Sequence, residues 1–282
     1  MKKLILTAMA FMMTIALFAQ NKETFLWKIS GNGLKKDSYV LGTIHMACGP
    51  DFKMEDKIKE AVKTTDRIAL ELNASNPETV KSLQAHIGPV PGFFDGLAPE
   101  KKQLIDSVLT AKNLSPAMLD QVGPAVLISL LSMQAFDCQD PRDIKSMELE
   151  LLKLEGAAGK PVDELETAEF QINLMNEFFK AEDLYTYLRD LDKMKEQTKQ
   201  LVSKYFNNEV GQVEELLFKT SSMSPEKEEM MLTKRNQEWI NKMPEMMNNN
   251  STFFAVGAGH LLGKNGVIQL LKDKGYKVTP VL

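Results

Sequence analysis

Two stretches of one pattern stand near opposite ends of the chain, Leu41-Gly42-Thr43-Ile44-His45-Met46 and Val256-Gly257-Ala258-Gly259-His260-Leu261. Each continues an apolar run into Gly-x-x-His, and together they contain two of the three histidines among 282 residues. The runs 38–45 and 252–256 are rich in aromatic and β-branched residues, which predicts that each motif closes a β-strand. Because open α/β sheets bind ligands beyond their strand ends, we expect both imidazoles at one rim of a shared sheet. The alternative is that both are ordinary histidines packed after strand-ending glycines.

The beginning of the chain has the composition of a secretory signal peptide. Met1-Lys2-Lys3 is followed by an apolar run to Phe18 and then by Ala19, after which we predict cleavage. A retained membrane anchor is the alternative, but the run is shorter than the ~20 residues that a spanning helix needs. No later stretch is long and apolar enough to span a membrane. Residues 1–19 are thus predicted to be a leader, and residues 20–282 one exported domain, periplasmic or secreted.

Composition limits the partners of this exported chain. With 44% hydrophobic residues it can bury a full core, and its formal net charge of −4 disfavours binding to nucleic acid or to an anionic membrane. Predicted export also favours a disulfide between the two cysteines, because cysteines in an oxidising compartment form disulfides. A disulfide between Cys48 and Cys138 would tie the loop after His45 to the middle of the chain; two free buried thiols are the alternative.

The predicted elements place strands at both ends of the chain and helices between them. Strands are predicted at 24–30, 38–45 and 67–72, and a helix at 53–65 crosses between the last two, so that these form a parallel pair. Helices are predicted at 116–136, with a kink at Gly123-Pro124, and at 144–154 and 225–247; strands return at 252–256 and 276–281. The order predicts an α/β (α+β) fold. Its central mixed sheet is built from the N- and C-terminal segments, with a large helical insertion over about residues 77–250.

A carboxylate stands inside one otherwise apolar predicted strand, Ile68-Ala69-Leu70-Glu71-Leu72. Burying it costs several kcal/mol unless it is paired, hydrogen-bonded or bound to a metal. With His45 and His260, Glu71 makes a three-ligand set that leaves positions open for water and substrate. Two alternatives stay open: Glu71 acts as a general base while the histidines alone bind the metal, or it lies on an exposed face of its strand.

Five short motifs, in this order along the chain, are similar to those of the TraB/GumN family. They are Leu41 to His45, Leu70-Glu71-Leu72, Glu164-Leu165-Glu166-Thr167, Lys234-Arg235-Asn236 and Phe254 to Leu261. The family is related to the TIKI metalloproteases and, more distantly, to erythromycin esterases and the haem-binding protein ChaN. Its hallmark is two Gly-x-x-His motifs and a glutamate, which correspond here to Gly42 and His45, Gly257 and His260, and Glu71. Asp163-Glu164 departs from the family where a glycine often precedes Leu-Glu-Thr.

The resemblance implies a metal-dependent hydrolase, of peptidase type, that acts on a peptide or small-molecule substrate with a divalent ion such as Mn, Co or Zn. The implied ligands are His45, His260 and Glu71. Arg235 would bind a substrate carboxylate or stabilise an oxyanion. Glu166 would orient Arg235 or a histidine, unless it is only a helix N-terminal acid; Asn236 belongs to the same motif as Arg235. The alternative function is a non-catalytic protein that binds haem or a small ligand in the same cleft.

Overall fold

The computed structural model describes residues 23–111, 114–220 and 224–282, so the predicted leader lies outside the described residues. Its strands are β1 (Leu26–Ser30), β2 (Ser38–Thr43), β3 (Met46–Cys48), β4 (Arg67–Leu70), β5 (Ile144–Ser146), β6 (Val162–Glu164), β7 (Thr252–Gly257) and β8 (Lys277–Pro280). The described α-helices are α1 (Asp56–Thr64), α2 (Pro77–His86), α3 (Pro99–Ala111), α4 (Leu119–Ala135), α5 (Met147–Leu152), α6 (Ala168–Phe178), α7 (Ala181–Arg189), α8 (Leu191–Phe206), α9 (Val210–Glu215), α10 (Pro225–Glu228), α11 (Lys234–Asn249) and α12 (Val267–Asp273).

Six strands form one mixed sheet in the order β6-β4-β7-β2-β1-β8. Strands β6, β4, β7 and β2 are mutually parallel, whereas β1 runs antiparallel to its neighbours β2 and β8. This confirms the predicted α/β class. One detail of the prediction is wrong: β2 and β4 run parallel but are not neighbours, because β7 lies between them and pairs with both. The extent of the domain, residues 20–282 with an insertion at 77–250, stays a prediction.

Continuous apolar sequence explains why β4 and β7 occupy the middle of the sheet. All six residues of β7 are buried, as are Ile68, Ala69 and Leu70 in β4. One face of the sheet packs against α1 and α8, and the other packs against α11 and α12, where Trp239 is fully buried. Strands that are covered on both faces need no alternation of polar and apolar residues, which is the usual pattern of parallel sheets.

The helical region contains the predicted kink and one unexpected strand. Gly123 interrupts α4 with φ 72° and ψ 170°, just before Pro124. The helix predicted at 144–154 begins only at Met147, because residues 144–146 form β5 and pair with β3 in a separate two-stranded sheet. This small sheet fixes the chain directly after His45 against the start of α5. In the described residues, no helix combines the length and the apolar character that crossing a bilayer requires.

The structure contains the predicted disulfide between Cys48 and Cys138. It joins the end of β3 to the segment between α4 and β5, closing a loop with a sequence separation of 90 residues. Since β3 also pairs with β5, the loop that carries His45 is held both by hydrogen bonds and by a covalent link.

Candidate active site

Four parallel strands end at the same edge of the sheet, and each is followed within three residues by a side chain that the sequence singled out. Strand β2 leads to His45, β4 to Glu71, β6 to Glu166 and β7 to His260. Parallel strands place their carboxyl ends together, which is where open sheets bind ligands. The predicted convergence of distant parts of the chain therefore follows from strand direction.

Arg235 lies at the centre of the buried part of the site. Its guanidinium donates to the two carboxylate oxygens of Glu166 at 2.7 and 2.8 Å and to Oε2 of Glu71 at 2.7 Å. Nη1 donates to the Met231 carbonyl at 2.9 Å and to Nε2 of His260 at 3.0 Å. Only 6% of the Arg235 side chain is exposed, so two carboxylates compensate a charge that burial alone would make costly.

Glu71 is held as a carboxylate between Arg235 and the backbone of Gly257. Its Oε1 accepts a hydrogen bond from the Gly257 N–H at 2.6 Å and lies 3.8 Å from Nε2 of His260. Burial raises the pKa of Glu71, but the imidazoles of His260 and His45, the Arg235 charge and the Gly257 amide outweigh burial and lower it to about 2. At 13% exposure the side chain is not on an open strand face, which excludes that alternative.

His260 is a buried, neutral imidazole. The side-chain nitrogen of Asn236 donates to the backbone carbonyl of His260. The side-chain oxygen of Asn236, Oδ1, therefore lies 2.7 Å from Nδ1 of the His260 ring. Nδ1 therefore carries the proton, and Nε2 accepts from Arg235. Burial, together with the Arg235 charge, lowers the pKa of His260 to about 3 against the opposing effect of Glu71. The ring packs against Trp239 with 4.3 Å between ring centroids.

His45 differs from His260 in exposure and in charge. It follows β2 with φ 60°, a left-handed conformation that few residues other than glycine adopt, and 56% of its side chain is exposed. Its Nδ1 lies 2.8 Å from Oε1 of Glu148. Partial removal from water lowers the pKa of His45, but the charges of Glu148 and Glu71 outweigh this effect and raise it to about 9.

Each motif glycine makes room for the other motif. A Cβ on Gly42 would lie 2.8 Å from Cδ1 of Leu261 and 3.0 Å from Cα of Ala258, both in the second motif. A Cβ on Gly257 would lie 2.8 Å from Nε2 of His45, in the first motif. The repeated glycine is thus explained by close approach between the two strand ends.

The two imidazoles have the orientation of metal-binding histidines. Each gives its Nδ1 to an acceptor, Glu148 for His45 and Asn236 for His260, and turns Nε2 toward the region of Glu71. A second hydrogen bond of this kind is what fixes the ring of a histidine ligand in metalloproteins. The donor chemistry fits a divalent metal ion, whose binding would displace the Nε2 proton that His45 carries at neutral pH.

The absence of a Cβ on Gly257 leaves a cradle beside these donors, with Nε2 of His45 and Oε1 of Glu71 at 2.8 and 3.4 Å from the Cβ position. In the part of the chain that the structure describes, no three His, Cys, Asp or Glu side chains already form a metal-binding group. Arg235 engages Nε2 of His260 and Oε2 of Glu71. An ion bound by His260 would replace the hydrogen bond from Arg235.

The pKa values of the two site histidines predict a stability maximum near pH 6.5. The pKa of His260 falls from 6.5 to about 3 on folding. Below pH 6.5, His260 is therefore protonated in the unfolded chain but stays neutral in the folded protein. As the pH falls, the free energy of unfolding decreases by roughly 1 kcal/mol per pH unit. The pKa of His45 rises to about 9, so its stabilising contribution is complete below pH 6.5 and is lost as pH rises through 9. Urea unfolding between pH 4.5 and 10 measures both declines of the free energy of unfolding, the one toward acid pH and the one toward alkaline pH.

Two single variants separate these contributions. His260→Gln should flatten the decline between pH 6.5 and 4.5, above the range in which Glu71 begins to titrate. His45→Gln should flatten the decline in the free energy of unfolding between pH 6.5 and 9. An acid limb that is equally steep in His260→Gln would contradict the assignment.

Fold and site together define an α/β protein with a buried arginine–carboxylate cluster and two histidines at the carboxyl edge of a parallel sheet. The chain belongs to the TraB/PrgY/gumN family, whose model matches residues 25–280, and this confirms the resemblance predicted from the motifs. It is similar to a protein of Danio rerio described as "Metalloprotease TIKI2", with 22% identity over 325 residues, covering 92% of this chain and 61% of the relative. The chain thus spans less than two thirds of that relative's length. No solved structure matches it.

The structure brings together all predicted site residues at the strand ends and adds one that sequence reasoning missed. The predicted residues are His45, His260, Glu71, Arg235, Glu166, Asn236, Gly42 and Gly257. The missed residue is Glu148, because residues 144–154 were predicted to form a single helix and the segment contains no known motif. The sequence signal was a hydroxyl residue two positions before His45 and another two positions before Glu148, because the hydroxyls of Thr43 and Ser146 both donate to Glu148.

Proposed function

We propose that this protein is an exported hydrolase that binds one divalent metal ion through His45, His260 and Glu71 and cleaves peptide bonds. The observation that carries the proposal is the grouping around Oε1 of Glu71: this oxygen and Nε2 of His45 both lie beside Gly257, and Nε2 of His260 lies 3.8 Å from the same oxygen. Three protein ligands with open positions are typical of catalytic metal sites, whereas structural sites are closed by four.

The surrounding residues support this chemistry. A bound divalent ion would polarise the substrate carbonyl and lower the pKa of a bound water from about 15.7 toward 7. Arg235 keeps Glu71 ionised, and Glu166 holds the guanidinium in one orientation from the opposite side. All five N–H groups of the guanidinium are already used, so the proposal gives Arg235 the role of holding Glu71 and His260 in place rather than of binding a substrate oxygen. Asn236 keeps the His260 proton on Nδ1.

Export and a peptide substrate complete the proposal. Export is supported by the leader composition of residues 1–19 and by the disulfide, which is typical of an oxidising compartment. A peptide substrate is supported by the printed description of the Danio rerio relative as a metalloprotease. With 56% of its side chain exposed, His45 is the proposed ligand that a substrate would contact first.

The two site histidines do not have the geometry of haem ligands. An axial haem ligand must present its ring nitrogen to an open, planar cavity, but His260 is 5% exposed and its Nε2 faces Arg235 at 3.0 Å. Only His45 is exposed enough to meet a porphyrin.

Metal analysis of the purified protein tests the proposal. After metal removal, reloading with Mn, Co or Zn should restore about one ion per chain and, with it, hydrolysis of a peptide library. His45→Ala and His260→Ala should lose both, whereas His86→Ala, at the third histidine, should keep both. Glu71→Gln distinguishes the two roles of Glu71: a ligand loses the metal, and a general base keeps the metal but loses hydrolysis. Full metal content in the His45→Ala/His260→Ala double variant, or a Soret band with no hydrolysis under any metal, would contradict the proposal.

A further inference from the structure

A third carboxylate, Glu148, adjoins the site from outside the sheet. It lies in the first turn of α5, on the segment that follows the small β3–β5 sheet. Its Oε1 lies 2.8 Å from Nδ1 of His45, on the side of the ring away from Glu71 and Gly257. No motif of the family resemblance includes this residue.

Two hydroxyl groups hold the Glu148 carboxylate in place. Thr43, the last residue of β2, donates to Oε1 at 2.6 Å, and Ser146, the last residue of β5, donates to Oε2 at 3.2 Å. Thr43 is 1% exposed and the Glu148 side chain is 18% exposed, so water competes little for these bonds. A carboxylate that is fixed from two sides has a defined position before it meets the imidazole.

The backbone around His45 is fixed by the same elements. The N–H of Met147, the residue before Glu148, donates to the His45 carbonyl at 2.7 Å. Met46 is paired with Ser146, and Cys48 is linked to Cys138. These contacts maintain the left-handed φ of 60° at His45, which would otherwise be unfavourable.

We infer that Glu148 is a positioning residue that keeps a proton on Nδ1 of His45 and thereby directs the Nε2 lone pair toward Glu71 and the cradle beside Gly257. The inference rests on the proposed function, in which that lone pair binds the metal. Which imidazole nitrogen carries the proton is set by the hydrogen bond that the other nitrogen makes. Glu148 therefore accepts a hydrogen bond from Nδ1 of His45, as Asn236 does from Nδ1 of His260.

The competing explanation is that Glu148 only stabilises the start of α5, as acidic residues in a first helical turn do. The two explanations differ in what they predict for the ring. A purely structural residue changes the unfolding transition but leaves the His45 proton and the metal affinity of the folded protein unchanged.

The test compares Glu148→Ala, which removes the acceptor, with Glu148→Gln, which keeps an acceptor oxygen without the charge. The matched control is Glu150→Ala on the same helix, where the carboxylate is paired with Lys153 at 2.7 Å. In the full chain, zinc affinity after metal removal should fall about 10- to 100-fold in Glu148→Ala. It should recover in part in Glu148→Gln and stay unchanged in Glu150→Ala.

Nitrogen NMR of the imidazoles supplies a readout that does not depend on metal or activity. The chain has three histidines, so His45 can be assigned by single substitutions. At alkaline pH, where the ring is neutral, Nδ1 of His45 should be protonated in the wild type and in Glu148→Gln but not in Glu148→Ala. Unchanged zinc affinity and an unchanged Nδ1 proton in Glu148→Ala would overturn the inference.

A second variant covers the case in which Glu148→Ala does not fold. Thr43→Val removes one hydroxyl that holds the carboxylate while keeping side-chain volume, and it should shift both readouts in the same direction by a smaller amount. No shift in either readout would again overturn the inference. If His45→Ala binds zinc as the wild type does, the proposed function fails, whereas the NMR result still decides the role of Glu148.

Discussion

Replacing Arg235 by glutamine is expected to lower the free energy of unfolding by about 3–5 kcal/mol, the range for removing one partner of a buried ion pair. The guanidinium is 6% exposed and is the shared partner of Glu71 and Glu166, which are 13% and 5% exposed. Glutamine cannot neutralise either carboxylate, so two buried negative charges would lie close together without a cation. Urea unfolding at neutral pH measures the change.

Arg67 offers a matched control for this prediction. It also makes a two-point contact between strand regions, donating to both oxygens of Asp163 at 2.7 and 2.6 Å, but both side chains are about one third exposed, at 32% and 30%. Arg67→Gln is therefore expected to cost no more than about 1 kcal/mol. In the Arg235→Gln background, adding Glu166→Gln should restore part of the loss because it removes one uncompensated charge. Equal losses at the two arginines would contradict the argument from burial.

Adding a single methyl group at Gly257 is expected to abolish metal binding while leaving the fold intact. The Cβ of Gly257→Ala would lie 2.8 Å from Nε2 of His45, closer than real Cβ contacts, and 3.4 Å from Oε1 of Glu71. The backbone at Gly257, with φ −52° and ψ 138°, is allowed for alanine. His45 must therefore move away, and a displacement on the order of 1 Å in such a site costs about 10²-fold in activity.

The same motif contains the control for this experiment. A Cβ on Gly259 would meet side-chain atoms of Leu217 and Leu232 at 3.7 Å, an ordinary packing distance. Gly259→Ala should thus keep metal stoichiometry and peptide hydrolysis, and both variants should unfold close to the wild-type midpoint. The prediction fails if Gly257→Ala binds the metal as tightly as Gly259→Ala does.

The sequence could predict that the site residues share one edge of the sheet, because this follows from the direction of the strands. The two Gly-x-x-His motifs and Glu71 follow runs whose residues are apolar without alternation, and such runs form central parallel strands. Once those strands are parallel, their following residues must share one edge. The neighbours of each strand could not be predicted, because the placement of β7 between β2 and β4 depends on pairing between residues about two hundred positions apart.

The hydrogen bonds within the site were the part that the sequence could not predict. Arg235 was expected to meet substrate, yet its five hydrogen bonds are to four residues of the protein, Glu166, Glu71, Met231 and His260. Glu148 was missed because three residues of β5, which a helical pattern would include, pair instead with β3. Both outcomes depend on tertiary contacts that no local pattern encodes.

The central position of β7 has a consequence for the stage of biosynthesis at which the residue cluster at the sheet edge can form. When synthesis has reached residue 250, the residues of β2, β4 and β6 have been made, but those of β7 and His260 have not. The cluster of His45, Glu71 and His260 can therefore form only when the last segment of the chain is present and pairs between two strands that were synthesised long before it.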